Sequence, residues 1–216
     1  MPRQSGLAAS LACELELLPP YNREEALRGL EGFDYIWLIW EFSLNAEGES
    51  LTVRPPRLGG NTRVGVFASR SPFRPNRLGL SCVKIDGIDA DKGVIRVLGA
   101  DLADGTPVYD IKPYLPYADS HPDARGGFTD TASWRPLRVQ FLRPPESFPA
   151  SPEKVVGRKS SGLLDKGQIA ALAEILSQDP RPHYQDDPER EYGLLFEGRN
   201  VRFKVSGDTL TVISIE

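Results

Sequence analysis

Three short stretches hold the residues whose types and spacing suit chemistry. In Ser69–Gly79, SRSPFRPNRLG, Arg70, Arg74 and Arg77 stand among two prolines and no acid. Guanidinium groups offer planar donor forks to carboxylates and phosphates. Pro72 and Pro75 each fix a backbone dihedral and bias the preceding residue toward extended conformations. Such a loop loses little entropy when it binds an anion. Gly79 permits a sharp turn or a close backbone approach. The plainer reading is an arginine-rich loop paired with acids of its own protein.

The second stretch, ADLADGTPVYDIKPYLPYADS, spans residues 100–120. Asp104-Gly105 signals a turn and Pro107 leads into a strand. Asp101, Asp104 and Asp110 fit neither a calcium loop nor a zinc site in spacing, so no metal is expected. Two readings stay open for these acids: turn capping through local hydrogen bonds, or an acid facing a polar or cationic ligand. The third stretch, DPRPHY at 179–184, brackets Arg181 with prolines, with Tyr184 three residues further on. It reads either as a helix stop or as an arginine and an aromatic that engage single-stranded RNA. No GxGxxG, Walker loop, GxSxG or HExxH is present. His121 and His183 are the only histidines, neither beside a nucleophile in sequence, so a hydrolytic triad is not expected.

Charge is segregated. Between Ser50 and Ile85 there are seven cations (Arg54, Arg57, Arg63, Arg70, Arg74, Arg77 and Lys84) and no acid, which leaves −11 on the rest of a chain whose net charge is −4. Such a field draws a polyanion to one region while the remainder repels it. The 216 residues suffice for one large domain or a main domain with an appendage. No apolar run approaches the ~20 residues of a membrane span and no signal peptide opens the sequence. Cys13 and Cys82 are too few for a disulfide framework. A cytoplasmic protein without a membrane partner is expected.

The elements that position these residues read as mainly β. LACELELL, FDYIWLIWEF, VGVFA, LGLSCVKIDGI, GVIRVLGA, PVYDI and PLRVQF are strand-like runs separated by turn residues. Their spacing predicts a closed or nearly closed β-barrel over residues 1–145, with one short helix after Asn22. A Pro-, Ser- and Lys-rich linker follows at 146–164. Residues 165–216 predict a small α+β domain: Ile169, Leu172, Ala173 and Leu176 at helical spacing, then a three-stranded meander.

PRQSGL, VRPPRLGGNTRVGVFASRSPFRPNRLGLS, DLADGTPVYDIKPYLPYADS and DPRPHY, in this order, resemble the TsaA-like family, whose bacterial members include TrmO-type tRNA methyltransferases. The resemblance covers nearly the whole chain. It implies a β-barrel that binds S-adenosylmethionine, a small C-terminal domain and a homodimer. It also implies N6-methylation of N6-threonylcarbamoyladenosine at position 37 of tRNA. Carried onto this sequence, the cofactor site comprises Arg3, Gln4, Arg70, the backbone around Leu80, and Asp104, Gly105 and Thr106. Arg57, Arg63, Arg74 and Arg77 are then candidates for the tRNA backbone, with Arg181 and Tyr184 toward the anticodon loop. Asp104 is the candidate base for the N6 proton.

The sequence departs from the family pattern in three places. Members carry a further strand before PRQ, and its absence would leave an open barrel edge. The usual RPNP is RPNR here, placing Arg77 where a proline is expected, and Ser43-Leu44 stands where His-Gln is frequent. Two rival functions are a non-catalytic RNA-binding barrel and an S-adenosylmethionine-dependent methyltransferase acting on a small acidic substrate.

Overall fold

A computed structural model of the chain describes residues 2–45, 48–55, 62–131, 135–145, 164–181 and 187–216. The chain separates into two compact units, one from Arg3 to residue 134 and one holding Arg135–Glu216.

The first unit is organised by β2 (Tyr35–Glu41), whose alternation buries Ile36, Leu38 and Trp40 and turns Tyr35, Trp37, Ile39 and Glu41 to the other face. Period-two burial of this kind fixes which face becomes core. Around β2 lie β1 (Ala12–Glu16), β5 (Leu78–Asp89), β6 (Val94–Leu98) and β7 (Val108–Pro113). All pairings in this sheet are antiparallel, in the order β1-β6-β5-β2-β7. Its inner face forms a core of Leu15, Ile36, Leu38, Trp40, Val83, Ile95, Val97 and Ala100, joined by Leu27 from the short helix α1 (Glu24–Leu27). β3 (Thr52–Val53) and β4 (Val64–Gly65) make a separate two-stranded ribbon.

The mainly β expectation holds, and closure into a barrel is not seen among the described residues. The described strands form an open sheet that ends on β1 and β7, which do not pair with each other. Two runs expected to extend the barrel are used otherwise. VGVFA supplies only two residues to the ribbon before passing into a 3-10 turn at Val66–Ala68. PLRVQF supplies β8 (Arg138–Phe141), which pairs in parallel with the last strand of the other unit. Alternation reports which face a strand buries but not which strand it pairs with, and PLRVQF packs with the unit that holds Arg135–Glu216.

The second unit carries a four-stranded sheet, β8-β11-β10-β9, with β9 (Tyr192–Phe196), β10 (Arg199–Ser206) and β11 (Thr209–Ile215) forming the expected meander. Between β8 and β9 comes α4 (Lys166–Ser177), started by a capping box in which Asp165 and Gln168 satisfy each other's backbone amides. Its buried stripe is Ala171, Leu172, Ile175 and Leu176, so the predicted Ile169 and Ala173 lie at its margin. The expected linker at 146–164 lies outside the described residues except Leu164, which is buried. Among the described residues no helix is long and apolar enough to cross a membrane.

One contact governs the approach of β5 to β2. Trp40 faces Gly79 in register, and a Cβ at Gly79 would stand 2.2 Å from the indole. Glycine in a strand costs roughly 0.5–1 kcal/mol relative to alanine, whereas overpacking a core position costs about 1–3 kcal/mol, so glycine is the stable choice. Gly79→Ala is therefore expected to destabilise the fold by a net of up to about 2.5 kcal/mol. Chemical denaturation followed by tryptophan fluorescence checks this through a lowered midpoint.

Candidate cofactor and nucleic-acid site

At the end of β2 two loops enter from opposite sides. Phe42 N–H donates to the Arg77 carbonyl at 2.9 Å, holding the arginine loop where β5 begins. Glu41 N–H donates to the Pro107 carbonyl at 3.1 Å, holding the Asp104-Gly105-Thr106 turn where β7 begins. A third stretch joins them from the N-terminus. Gly6 N–H donates to the Gly99 carbonyl at 2.8 Å, and the Arg70 guanidinium donates to Gln4 Oε1. Residues 3–6, 69–77 and 99–107 are thus tied into one region of the first unit.

The arginine loop is stiff because it bonds to itself as well as through its prolines. Arg74 Nη1 donates to the carbonyls of Ser69 and Ser71 at 3.1 and 3.3 Å, and Arg77 N–H closes a turn onto the Arg74 carbonyl at 3.2 Å. Ser69 Oγ donates to the Val66 carbonyl at 2.8 Å and accepts from Ser71 N–H. Arg77 adopts φ +48°, which a proline ring cannot reach, so RPNR turns differently from the expected RPNP.

The loop's cations divide into two kinds. Arg77 lies 3.1 Å from the Glu41 carboxylate, so for it the self-pairing reading holds. Arg63 donates to Thr52 Oγ1 at 2.7 Å, Arg70 to an amide oxygen and Arg74 to carbonyls. Among the described residues these three donate only to neutral oxygens, so their charges are left for an outside anion.

The three acids of the second stretch do not converge. Asp101 accepts from Ser81, while Asp110 pairs with Lys112 at 3.0 Å. The Lys112 hydrogen bond and then the Ile111 amide hold the Asp110 carboxyl below its ordinary range. Asp104 is exposed at the tip of a turn closed by Thr106 N–H on the Ala103 carbonyl at 3.2 Å, with Gly105 at φ +73° as that turn requires. Of the other cofactor candidates, Arg3 is exposed next to Gln4. Leu80 lies on the outer face of the sheet, 57% exposed, with Leu78 and Ile39. Its side chain points away from the face that carries Ser81.

The rest of that motif is structural. Asp119 in the short helix α2 (Pro116–Asp119), which the one-turn helix α3 (Phe128–Thr131) follows, accepts from Leu115 N–H and Trp37 Nε1, each at 2.9 Å. These bonds hold its carboxyl below the ordinary range. Burial, and then the Asp119 charge, push the Cys82 thiol up. In the second unit Arg181 is only 11% exposed at its side chain and binds Asp179 through Nε and Nη2 at 2.8 and 2.9 Å. Arg57 and Tyr184 lie outside the described residues.

Sequence reasoning passed over Glu41, Tyr109 and Ser81. Glu41 joins both loops, since it pairs with Arg77 and accepts from the Tyr109 hydroxyl. Only the register reveals this, because the three residues are far apart in the chain. Ser81 did carry a signal: it is a lone hydroxyl on the core-facing parity of β5, between Gly79 and Val83.

The comparisons bear on this arrangement directly. Residues 1–120 match the tRNA-methyltransferase O N-terminal domain and residues 150–216 the TrmO C-terminal domain, so both parts are those of a tRNA methyltransferase. The chain belongs to the tRNA-methyltransferase O family. It is 42% identical over its whole length to the tRNA (adenine(37)-N6)-methyltransferase of Escherichia coli, spanning 90% of that protein. A Pseudomonas aeruginosa relative, named for S-adenosylmethionine-dependent methyl transfer, is 43% identical over 90% of this chain and 80% of its own. A crystal structure of TrmO superposes with a TM-score of 0.74 at 31% identity, covering 99% of this chain and 89% of that one.

The Tyr109–Glu41 contact gives a pH prediction. The hydrogen bond to Glu41 raises the Tyr109 pKa, with smaller contributions from burial and the Glu41 charge, and Arg77 opposes them. The bond's contribution is present below the ordinary tyrosine range and is lost as pH rises through the raised folded value. Glu41→Gln should move the Tyr109 ionisation midpoint down toward the ordinary value. The difference in phenolate absorbance against a matching Tyr109→Phe protein reads that midpoint.

Proposed function

We propose that this chain transfers a methyl group from S-adenosylmethionine to N6 of N6-threonylcarbamoyladenosine at position 37 of tRNA. The observation that carries this reading is the tie among residues 3–6, 69–77 and 99–107, with Arg63, Arg70 and Arg74 left unpaired by any acid among the described residues. The names of the Escherichia coli and Pseudomonas aeruginosa relatives agree with it.

The residues present fit the cofactor. Arg70 offers an uncompensated guanidinium to a carboxylate, Asp104 an exposed carboxylate to an ammonium, and the Gly105 turn an open backbone. Arg3, Gln4 and Thr106 complete that polar set, and Leu80 with its backbone supplies an apolar contact. When bound, S-adenosylmethionine supplies an electrophilic methyl group on sulfonium. The chain's own work is to orient and to handle the proton. The N6 of a urea-like nucleoside is a weak nucleophile, and orientation can contribute on the order of 7–11 kcal/mol. Asp104, exposed at the tip of its turn and in no ion pair among the described residues, is the base for the N6 proton in this reading. Arg63 and Arg74, with Arg57 and a minor share from Arg77, hold phosphates and the threonyl carboxylate. Arg181 and Tyr184 act toward the anticodon loop, Arg181 mainly by shaping its own segment.

The enzyme acts in the cytoplasm as a homodimer. Exposed Tyr35, Leu78 and Leu80 on one sheet face supply apolar area for self-association. The edge strands β1 and β7 are where the implied barrel would close.

The test is nucleoside mass spectrometry after incubation with S-adenosylmethionine and tRNA that carries or lacks the threonylcarbamoyl group. One methyl added only to the threonylcarbamoylated nucleoside is expected; tRNA binding without methylation would instead favour a non-catalytic RNA binder, and methylation of unmodified tRNA would refute the substrate. Arg63→Ala should reduce the slope of log affinity against log salt by about one, measured by filter binding of tRNA across a salt series.

A further inference from the structure

Ser81 is fully buried on the inner face of the sheet, where its neighbours are apolar. A hydroxyl in that position is costly unless both its roles are satisfied. Both are. Trp40 Nε1 donates to Ser81 Oγ at 2.9 Å, and the hydroxyl donates to Asp101 Oδ1. Indole can only donate, so the single hydroxyl proton is directed at Asp101, which must accept.

Asp101 lies within the segment that leads to the Asp104-Gly105-Thr106 turn. The ends of that segment are held by backbone bonds, Gly99 to Gly6 and Leu11, and Pro107 to Glu41. Between them Ala100 and Leu102 pack on the core, the Asp101–Ser81 bond is the side-chain hydrogen bond to the sheet among the described residues, and Thr106 N–H bonds within the turn. We propose that Asp101, acting through Ser81 and Trp40, is a positioning residue that fixes this turn for cofactor binding. The inference rests on the methyltransferase reading for the identity of the ligand. The hydrogen-bond relay itself belongs to the chain alone.

The bond requires an acceptor at residue 101 and not a charge. Asn presents an acceptor oxygen in the same place; Ala presents none. The full-length protein without ligand is examined by amide hydrogen exchange over residues 102–107, as wild type, Asp101→Asn, Asp101→Ala and Ser81→Ala. Exchange at Thr106, whose amide is bonded to the Ala103 carbonyl, should rise about tenfold in Asp101→Ala and Ser81→Ala and stay near wild type in Asp101→Asn. Unchanged exchange in β1 and β6 of the same unit serves as the control for its folding. Calorimetric titration with S-adenosylmethionine should follow the same order, with affinity about tenfold weaker in the two truncations. Asp101→Asn behaving like Asp101→Ala would overturn the proposal by showing that the carboxylate acts through its charge. Unchanged exchange in Asp101→Ala would overturn it as well. Failure of the wild type to bind S-adenosylmethionine would instead overturn the methyltransferase reading, with the exchange data still deciding whether Asp101 holds the turn.

Discussion

How closely β5 can lie against the Trp40 indole sets the loop end of the first unit. Gly79 has no side chain to hold the strand off, so the indole N–H reaches Ser81 on the same face two residues on. From that point two loops inherit their positions. The arginine loop ends one residue before β5 begins, and the segment leading to the glycine turn is drawn to Ser81 through Asp101. A bulkier residue at Gly79 would displace all of these at once, because close-packed interiors transmit small shifts.

Electrostatics then separates structural arginines from those available to a ligand. The exposed Arg77–Glu41 pair contributes no more than about 1 kcal/mol to stability, so its main effect is geometric: it clasps the loop to β2 and, through Tyr109, to β7. Arg74 is bonded to the loop's own carbonyls and keeps its charge, combining stiffness with attraction for an anion. Preorganised cations of this kind lose little side-chain entropy on binding. In the second unit Arg181 is held by Asp179 at a position where the backbone has φ +51°, so the proline-bracketed motif first serves to end α4 and turn the chain.

The local features were legible in the sequence. The strand-like apolar run FDYIWLIWEF, the acid-free cationic stretch, the Asp-Gly turn and the helical spacing of Ile169, Leu172, Ala173 and Leu176 each follow from neighbouring residues. Pairing was not. The partner of PLRVQF is set by contacts across more than sixty residues, and nothing in its alternation distinguishes the sheet of one unit from that of the other. The site shows the same division. Arg70 and the glycine turn stood out by type and Gln4 through the family resemblance, whereas Glu41 and Tyr109 became partners only through the register of β2 with β7. Arg77 likewise read as a free cation until β2 was seen to end beside it.

The most direct measurement is a titration of isotopically labelled protein with S-adenosylmethionine, following backbone amides by NMR. The account predicts that residues 3–7, 69–77 and 103–107 shift together along one binding curve, while β9–β11 stay unmoved. Shifts confined to one of these stretches, or centred in the second unit, would contradict a cofactor site built where the three stretches are tied.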